Sequence, residues 1–480
     1  MGRLLRSKPV DHADMLPFIP TGLPTDIFTG KYVRGYDGRW YRYGGLSSTN
    51  AVQAGPQRYK STYLLGNCVN ALARIPDADG YVMDSEYSHG DHERIFNLSN
   101  LYLDDPIARE SHINVLRDSL RIFNPTHEKA RNLDAFIDYM TEIAEEKFTH
   151  QKDWMIETPF IDPKTGKRQR ILLPTIAGID SWSEAKPVAI EKRKADWDED
   201  TESDKQRTIH MDEGWHKKNL MSRLPQLANK GGIYWFLSAH LAKKVQMGRT
   251  PERKDLQYMK ADEVAVGVSR QFYYLMSTLM QIDNATTLKT KDGKECEYKI
   301  GESTAPTELA ELDMILVRCK NNNSGNKMKF VSSQSYGLLG GMTDYRQLTS
   351  NGYFGLGSPN KAASVFQPDI PLPKASVFKK LRDYKTARAM EILSELLFVQ
   401  RYWSIKDSEI NYMISPDELV ANLRKTTYAI DDILNSRSWW CYDEKFCPRP
   451  YLALPDIIDI AMGNYKPDLF AVTNPPKKSK

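Results

Sequence analysis

The chain has 480 residues, 41% hydrophobic and 27% charged, the balance of an ordinary globular protein rather than a disordered or fibrous one. With 66 Lys and Arg against 62 Asp and Glu the net charge is only +4, which excludes a uniformly basic nucleic-acid coat but not a local basic patch. Five cysteines (Cys68, Cys296, Cys319, Cys441, Cys447) form no CxxC pair. A disulfide framework or zinc knuckle is therefore not expected, and a reducing compartment is. No stretch approaches the roughly 18 apolar residues of a membrane span. The N-terminus lacks a signal-peptide core, and Arg6 stands where a myristoylation motif has Ser or Thr.

In chain order, residues 17–45 are rich in Pro, Gly, Tyr and Arg and predict loops and short strands. From about 50 to 350, apolar runs alternate with helical patterns, the signature of an α/β fold with a mostly parallel central sheet. The clearest predicted strands are Ala51–Ala54, Tyr81–Asp84, Ile171–Asp180, Ile233–Ser238 and Met314–Arg318. Glu191–Lys205 carries both charge signs and few large apolar residues, so it predicts a mobile loop or a solvated helix. After the Pro-containing joint Gln367–Pro373 the pattern turns helical. Phe378, Leu381, Ile392, Leu393, Leu396 and Leu397 fit one helix face, and Ser415-Pro416-Asp417-Glu418 opens another helix with a capping box. The expected division is 1–45 as a lead-in, 46–367 as the core and 368–480 as a smaller helical C-terminal domain.

The chemistry concentrates in Ala54-Gly55-Pro56-Gln57-Arg58-Tyr59-Lys60-Ser61, between a short strand and the helix that starts near Thr62. Such a loop aims backbone N–H groups and a helix N-terminus at phosphates. Lys60 would contact the β and γ phosphates and the Ser61 hydroxyl would ligate Mg²⁺. Against a strict Walker A pattern the segment fails twice, at Ala54 and Tyr59; alone, it reads equally well as a Gly-Pro turn before an ordinary helix. Three further strand ends carry polar side chains: Asp84-Ser85-Glu86, Gly178-Ile179-Asp180-Ser181 and Ser238-Ala239-His240. A carboxylate at a strand end beside a phosphate loop can orient a water, a second can hold the Mg²⁺ shell, and a His can sense the γ-phosphate.

With these residues in this order the chain resembles the RecA-type recombinases, most closely their phage, UvsX-like branch. The branch has a loop of the form A-G-P-x-x-aromatic-K-S, which Ala54 to Ser61 matches. Thr21-Gly22, Asp26-Ile27 and Gly44-Gly45-Leu46 resemble the family's lead-in, and Leu316 to Asn321 with Gly340 to Tyr345 its last strands. The resemblance covers roughly 20–358 and implies a RecA-like P-loop ATPase core. It implies ATP and Mg²⁺ as cofactors, Glu86 as the catalytic carboxylate, Asp180 and Ser61 at the metal and His240 as the sensor. Two departures stand out. Lys320 fits the first of two basic residues that reach a neighbour's ATP, but Asn322 occupies the second; the family's adenine-stacking Tyr falls on Glu93.

In that family, loops after the second acidic strand and after the sensor strand face DNA. The second corresponds to about 241–262, within which Lys243–Lys260 sets Lys243, Lys244, Arg249, Arg253, Lys254 and Lys260 against Glu252 and Asp255. That local excess equals the net charge of the whole chain, which suits phosphate contact; a solvated face is the alternative. The first loop, about 183–219, offers Lys192, Arg193 and Lys194 but also the acidic run Asp196–Asp204. His89-x-x-His92 with Glu93 reads as a surface loop sooner than a metal site. Trp439-Trp440 with Tyr442 reads as an aromatic anchor sooner than a base-stacking platform, and the tail Lys477–Lys480 as a disordered end.

The expectation is a DNA-dependent ATPase that forms filaments on single-stranded DNA for homologous pairing with duplex DNA. Its setting would be intracellular, in a phage-infected bacterium, with single-strand-binding and mediator proteins as partners. The rivals are a hexameric helicase, for which 1–45 is a short N-terminal domain, and a non-hydrolysing ATP-binding mediator.

Overall fold

The structure, a computed structural model, describes residues 18–75, 77–87, 117–195, 203–244, 254–356, 364–402, 413–442 and 449–467. At its centre is a ten-stranded sheet. In chain order its strands are β1 (Thr49–Ala54), β2 (Asp79–Asp84), β3 (Leu120–Phe123), β4 (Thr175–Asp180) and β5 (Ile233–Lys243). There follow β6 (Glu263–Ala265), β7 (Thr278–Thr287), β8 (Leu309–Cys319), β9 (Lys327–Ser333) and β10 (Gly337–Leu338). They lie in the order β10-β9-β8-β7-β1-β5-β4-β2-β3, with β6 paired to the end of β5. The six strands from β7 to β3 are parallel, and β6, β8, β9 and β10 are antiparallel additions. The fold is thus α/β, with a mostly parallel sheet as the sequence predicts.

Both faces of this sheet are covered, which is why its strands read as nearly continuous apolar runs. Alternate residues part to opposite faces. Val52, Val82, Ile176, Tyr234 and Phe236 meet α1 (Lys60–Leu72) through Tyr63, Leu64, Cys68 and Val69. Ala51, Tyr81, Met83, Ala177, Ile179, Trp235 and Leu237 meet α2 (Leu133–Thr149) and α3 (Ser203–Gly231) through Phe136, Met140, Met221 and Leu224. The charged stretch after Glu191 lies in the helix Val188–Ala195 and in the start of α3, with 196–202 outside the described residues. Much of the expected first loop is therefore helix. The apolar residues Leu220, Met221, Leu224 and Leu227, which lie beyond the charged stretch, hold α3 on the sheet.

The lead-in forms short strands and turns, as its composition implies: Phe18–Ile19, Lys31–Arg34, Trp40–Tyr43 and Leu46–Ser47. The Thr21-Gly22 turn is held by one buried carboxylate, Asp26, which accepts from the backbone N–H groups of both residues and from the Thr21 hydroxyl. Burial pushes that carboxyl up to about 6 despite nearby Arg42 and these hydrogen bonds. After α4 (Gly340–Thr349) the chain is helical, with α5 (Tyr384–Tyr402), α6 (Pro416–Leu423) and α7 (Leu454–Ala461) as its main elements. Ser415 caps α6 through the Glu418 N–H, as its sequence predicts.

These last helices share one apolar core with α1 and the lead-in. Phe28 sits edge-on to both Phe330 and Phe398, with ring centroids 6.4 Å apart in each pair. Buried Arg42 binds Glu395 and Glu391 of α5, and Tyr32 donates to Glu395. Burial works against the Glu391 charge, but Arg388 and Arg42 outweigh it and hold that carboxyl at about 2. Removing one member of such a group leaves its partners buried and unneutralised, so Arg42→Ala is expected to cost about 3–5 kcal/mol. Urea unfolding followed by tryptophan fluorescence checks this; a loss below about 1 kcal/mol would mean that lead-in and α5 are not joined through Arg42.

Candidate active site

Parallel strands deliver their carboxyl ends to one edge of the sheet, and open α/β sheets bind ligands outside that edge. Here Ala54 of β1 pairs with His240 of β5, and Asp180 of β4 pairs with Asp84 of β2. The loop from Gly55 to Tyr59 joins β1 to α1, with Pro56 and Gln57 exposed, Arg58 and Tyr59 half-buried and Gly55 buried. Tyr59, at the position a strict pattern gives to Gly, precedes α1 in a left-handed conformation (φ 60°, ψ 23°), and Gln57 is also left-handed (φ 55°). Such angles ordinarily favour Gly. Arg58 donates to the Asp283 carbonyl of β7 and so fastens the loop to the sheet.

Lys60 and Thr62 are buried and Ser61 half-buried in the first turn of α1. Burial lowers the Lys60 pKa, while Glu86 and Asp180 oppose that shift. One cation thus faces two carboxylates supplied by two different strand ends. Asp180 is fully buried and accepts from the Ser238 hydroxyl. Glu86 Oε1 lies 2.8 Å from His240 Nε2. That hydrogen bond is the largest influence holding the Glu86 carboxyl below its ordinary range, against burial and with help from Ser181. Ser85 locks the geometry: its N–H donates to the Asp180 carbonyl (2.7 Å) and its hydroxyl joins the Ser181 backbone. The structure therefore brings Lys60, Glu86, Asp180 and His240 to one place.

A buried lysine beside a helix N-terminus and a left-handed loop suits a phosphate chain. Ser61 and Asp180 are hard oxygen donors that fit Mg²⁺, with phosphate and water oxygens completing its shell. Among the described residues no group of three or more His, Cys, Asp or Glu side chains could hold a metal ion by itself. His89, His92 and Glu93 lie outside the described residues.

The basic segment after His240 is a hairpin at its root: Leu241, Ala242 and Lys243 pair with Ala265, Val264 and Glu263 of β6. Lys243 and Lys254 are exposed, whereas Lys244 forms an ion pair with Asp255 (3.0 Å). Arg249 and Arg253 fall outside the described residues. The hairpin is tied to the site through His240, whose N–H donates to Ser183 Oγ and whose carbonyl accepts from Val266 N–H. Lys192, Arg193 and Lys194 lie in the helix Val188–Ala195.

Lys320 is exposed at the opposite edge of the sheet. Its neighbour Cys319 pairs with Thr278, which pairs with Asn50 at the start of β1. From Asn50 to Ala54 the strand spans about 13 Å, well beyond a lysine's reach, so Lys320 does not touch the loop of its own chain. Asn321 and Asn323 anchor the turn after β8 to the carbonyls of Thr29, Tyr43 and Gly30, and Asn322 between them is left-handed (φ 64°). Trp440 is buried edge-on to Phe160, so it anchors the C-terminal helices as expected. Cys441 is half-buried; Cys447 and the Lys477–Lys480 tail lie outside the described residues.

Several positioning residues have no sequence signature. Gln53 on β1 donates to Gln281 on β7 (2.8 Å), which donates to Glu263 of the hairpin (2.8 Å) and to Asp283 (2.6 Å). Buried Lys217 of α3 donates to the Trp182 and Ser183 carbonyls (3.0 Å each) and pairs with Glu213. Only the alternation of apolar residues could have marked them, as polar residues at positions facing the core. Comparison with known proteins finds no family model and no curated protein that matches this chain.

Because His240 is the largest influence lowering the Glu86 pKa, His240→Ala is expected to raise it toward or above the ordinary carboxylate value. Glu86 would then lose its charge at a higher pH than in the wild type. A carboxyl ¹³C titration of glutamate-labelled protein, with Glu86→Gln to assign the signal, checks this; an unmoved signal would remove the hydrogen bond's role.

Proposed function

We propose that this chain is an ATP- and Mg²⁺-dependent recombinase with a RecA-like core, which forms filaments on single-stranded DNA and pairs it with homologous duplex. The observation that carries the reading is the Glu86–His240 hydrogen bond beside Lys60, with His240 at the root of a basic hairpin. In this reading Gly55 to Thr62 cradle the phosphates and Lys60 neutralises them. Ser61 and Asp180 hold Mg²⁺, which supplies charge neutralisation at the phosphates when bound. Glu86 orients the attacking water and accepts its proton, while His240 keeps Glu86 ionised and faces the γ-phosphate. Nucleotide and DNA states are linked because a shift of His240 also moves Leu241 and Val266 of the hairpin. Lys243, Lys244, Arg249, Arg253 and Lys254 are the proposed phosphate contacts for DNA.

Glu86→Gln is expected to retain ATP and DNA binding and lose turnover by about 100-fold or more, since the shape stays and the charge goes. Measured ATPase near the wild-type rate would place the base elsewhere. Negative-stain imaging of this variant with single-stranded DNA and ATP should reveal helical filaments; closed rings would favour a helicase.

Since Lys320 cannot reach its own loop, its proposed partner is the ATP of an adjoining copy. Lys320→Ala and Lys60→Ala should each abolish DNA-stimulated ATPase. Their mixture should recover part of it, because one mixed interface contains both intact lysines. No recovery at any ratio would leave Lys320 without this role.

A further inference from the structure

A second cavity lies beyond the carbonyl end of α1, between the lead-in, the start of α4 and α5. α1 has thirteen residues and so separates this cavity from Lys60 by about 20 Å. Its walls carry Arg42, Arg74, Arg388 and Arg449, against Glu391 and Asp344. Arg388 and Arg42 hold the Glu391 carboxyl at about 2, whereas burial and the nearby Glu391 charge raise the Asp344 carboxyl well above its ordinary range. Glu395 offsets part of the Arg42 charge from behind. Positive charge still predominates.

Arg388 is completely buried, and its contacts are incomplete. Nη2 donates to the Leu452 carbonyl (2.8 Å), Nη1 lies 3.0 Å from Glu391 Oε2, and Nε has no hydrogen-bond partner. Asp344 Oδ1 is likewise buried without a partner. Unpartnered buried polar atoms are costly, so two in one wall call for a ligand. Gly340 at the start of α4 lines the same space, and Leu339 before it supplies no side-chain cap. A helix N-terminus without a side-chain cap adds partial positive charge and N–H donors. Trp439 and Pro24 line the same space. Arg74 and Arg437 each lie over the Trp439 ring, at 5.7 and 5.5 Å.

We propose that this cavity is a second ligand site, for a small phosphate-bearing molecule whose phosphate meets Arg388, Arg74, Arg449 and the N-terminus of α4. The site is separate from the loop at Lys60 and does not depend on how that loop is read.

The test uses the full chain carrying Lys60→Ala, so that the first loop is silenced, and isothermal titration with inorganic phosphate, adenosine monophosphate and adenosine. Phosphate or the monophosphate should bind saturably and adenosine should not. Binding of the monophosphate alone would mean that its nucleoside is needed as well, and binding of both that the phosphate suffices. Arg449→Gln and Arg74→Gln together should weaken binding at least tenfold, while circular dichroism confirms that the variant folds. These two positions are chosen because Arg388, fully buried, is the residue whose loss endangers folding. Absence of saturable binding, equal binding of adenosine, or affinity unchanged in the double variant would each overturn the proposal. None of these readouts involves ATP hydrolysis, so failure here and failure of the ATPase reading remain distinguishable.

Discussion

Every feature of the candidate active site depends on the register of four parallel strands. Ala54 stands opposite His240, Ile179 opposite Leu237, and Asp180 opposite Asp84. In a parallel sheet covered on both faces, a slip of one residue exchanges the faces of every side chain on a strand. A slip in β4 would turn Asp180 away from Ser238 and put Ile179 in its place. The apolar alternation that fixes the core also aims the polar strand ends.

Two of the charge groups among the described residues follow different rules. Arg42, Arg388, Glu391 and Glu395 join the lead-in to α5, and their charges are largely balanced. At the sheet edge burial lowers the Lys60 pKa, although Glu86 and Asp180 are near. A lysine whose charge is disfavoured in the free protein gains when an anion arrives, since a phosphate supplies the compensation that burial removed. Such a group is better suited to ligand capture than to holding the fold together.

His240 belongs to two structures at once. Its ring is bonded to Glu86, and its backbone is bonded to Ser183 and Val266 at the base of the hairpin. The chain Gln53–Gln281–Glu263 runs beside it, from the strand before the loop to the same hairpin. Both connections use hydrogen bonds between buried or half-buried groups, where a low dielectric strengthens each bond. The site and the basic segment are joined by hydrogen bonds.

By itself the sequence determined the class of fold, much of β1, β2, β4, β5 and β8, the helical C-terminal part and the polar residues near the carboxyl ends of β1, β2 and β4; it missed β7, ran Arg168–Leu172 and β4 together and stopped β5 short of Lys243. Those features arise from local pattern: apolar runs, a Gly-Pro turn, a Ser-Pro cap. It also singled out Glu86, Asp180 and His240, because polar residues directly after apolar runs are conspicuous. It did not reveal that Glu86 and His240 touch, since 154 positions separate them. For Glu191–Lys205 it left a mobile loop and a solvated helix both open, because what holds α3 is Leu220 and the residues after it. The supports at Gln53, Gln281 and Lys217 and the arginine-lined cavity were equally hidden. Each is assembled from segments far apart in sequence, and only the closing of the sheet and its helices decides which buried polar groups meet.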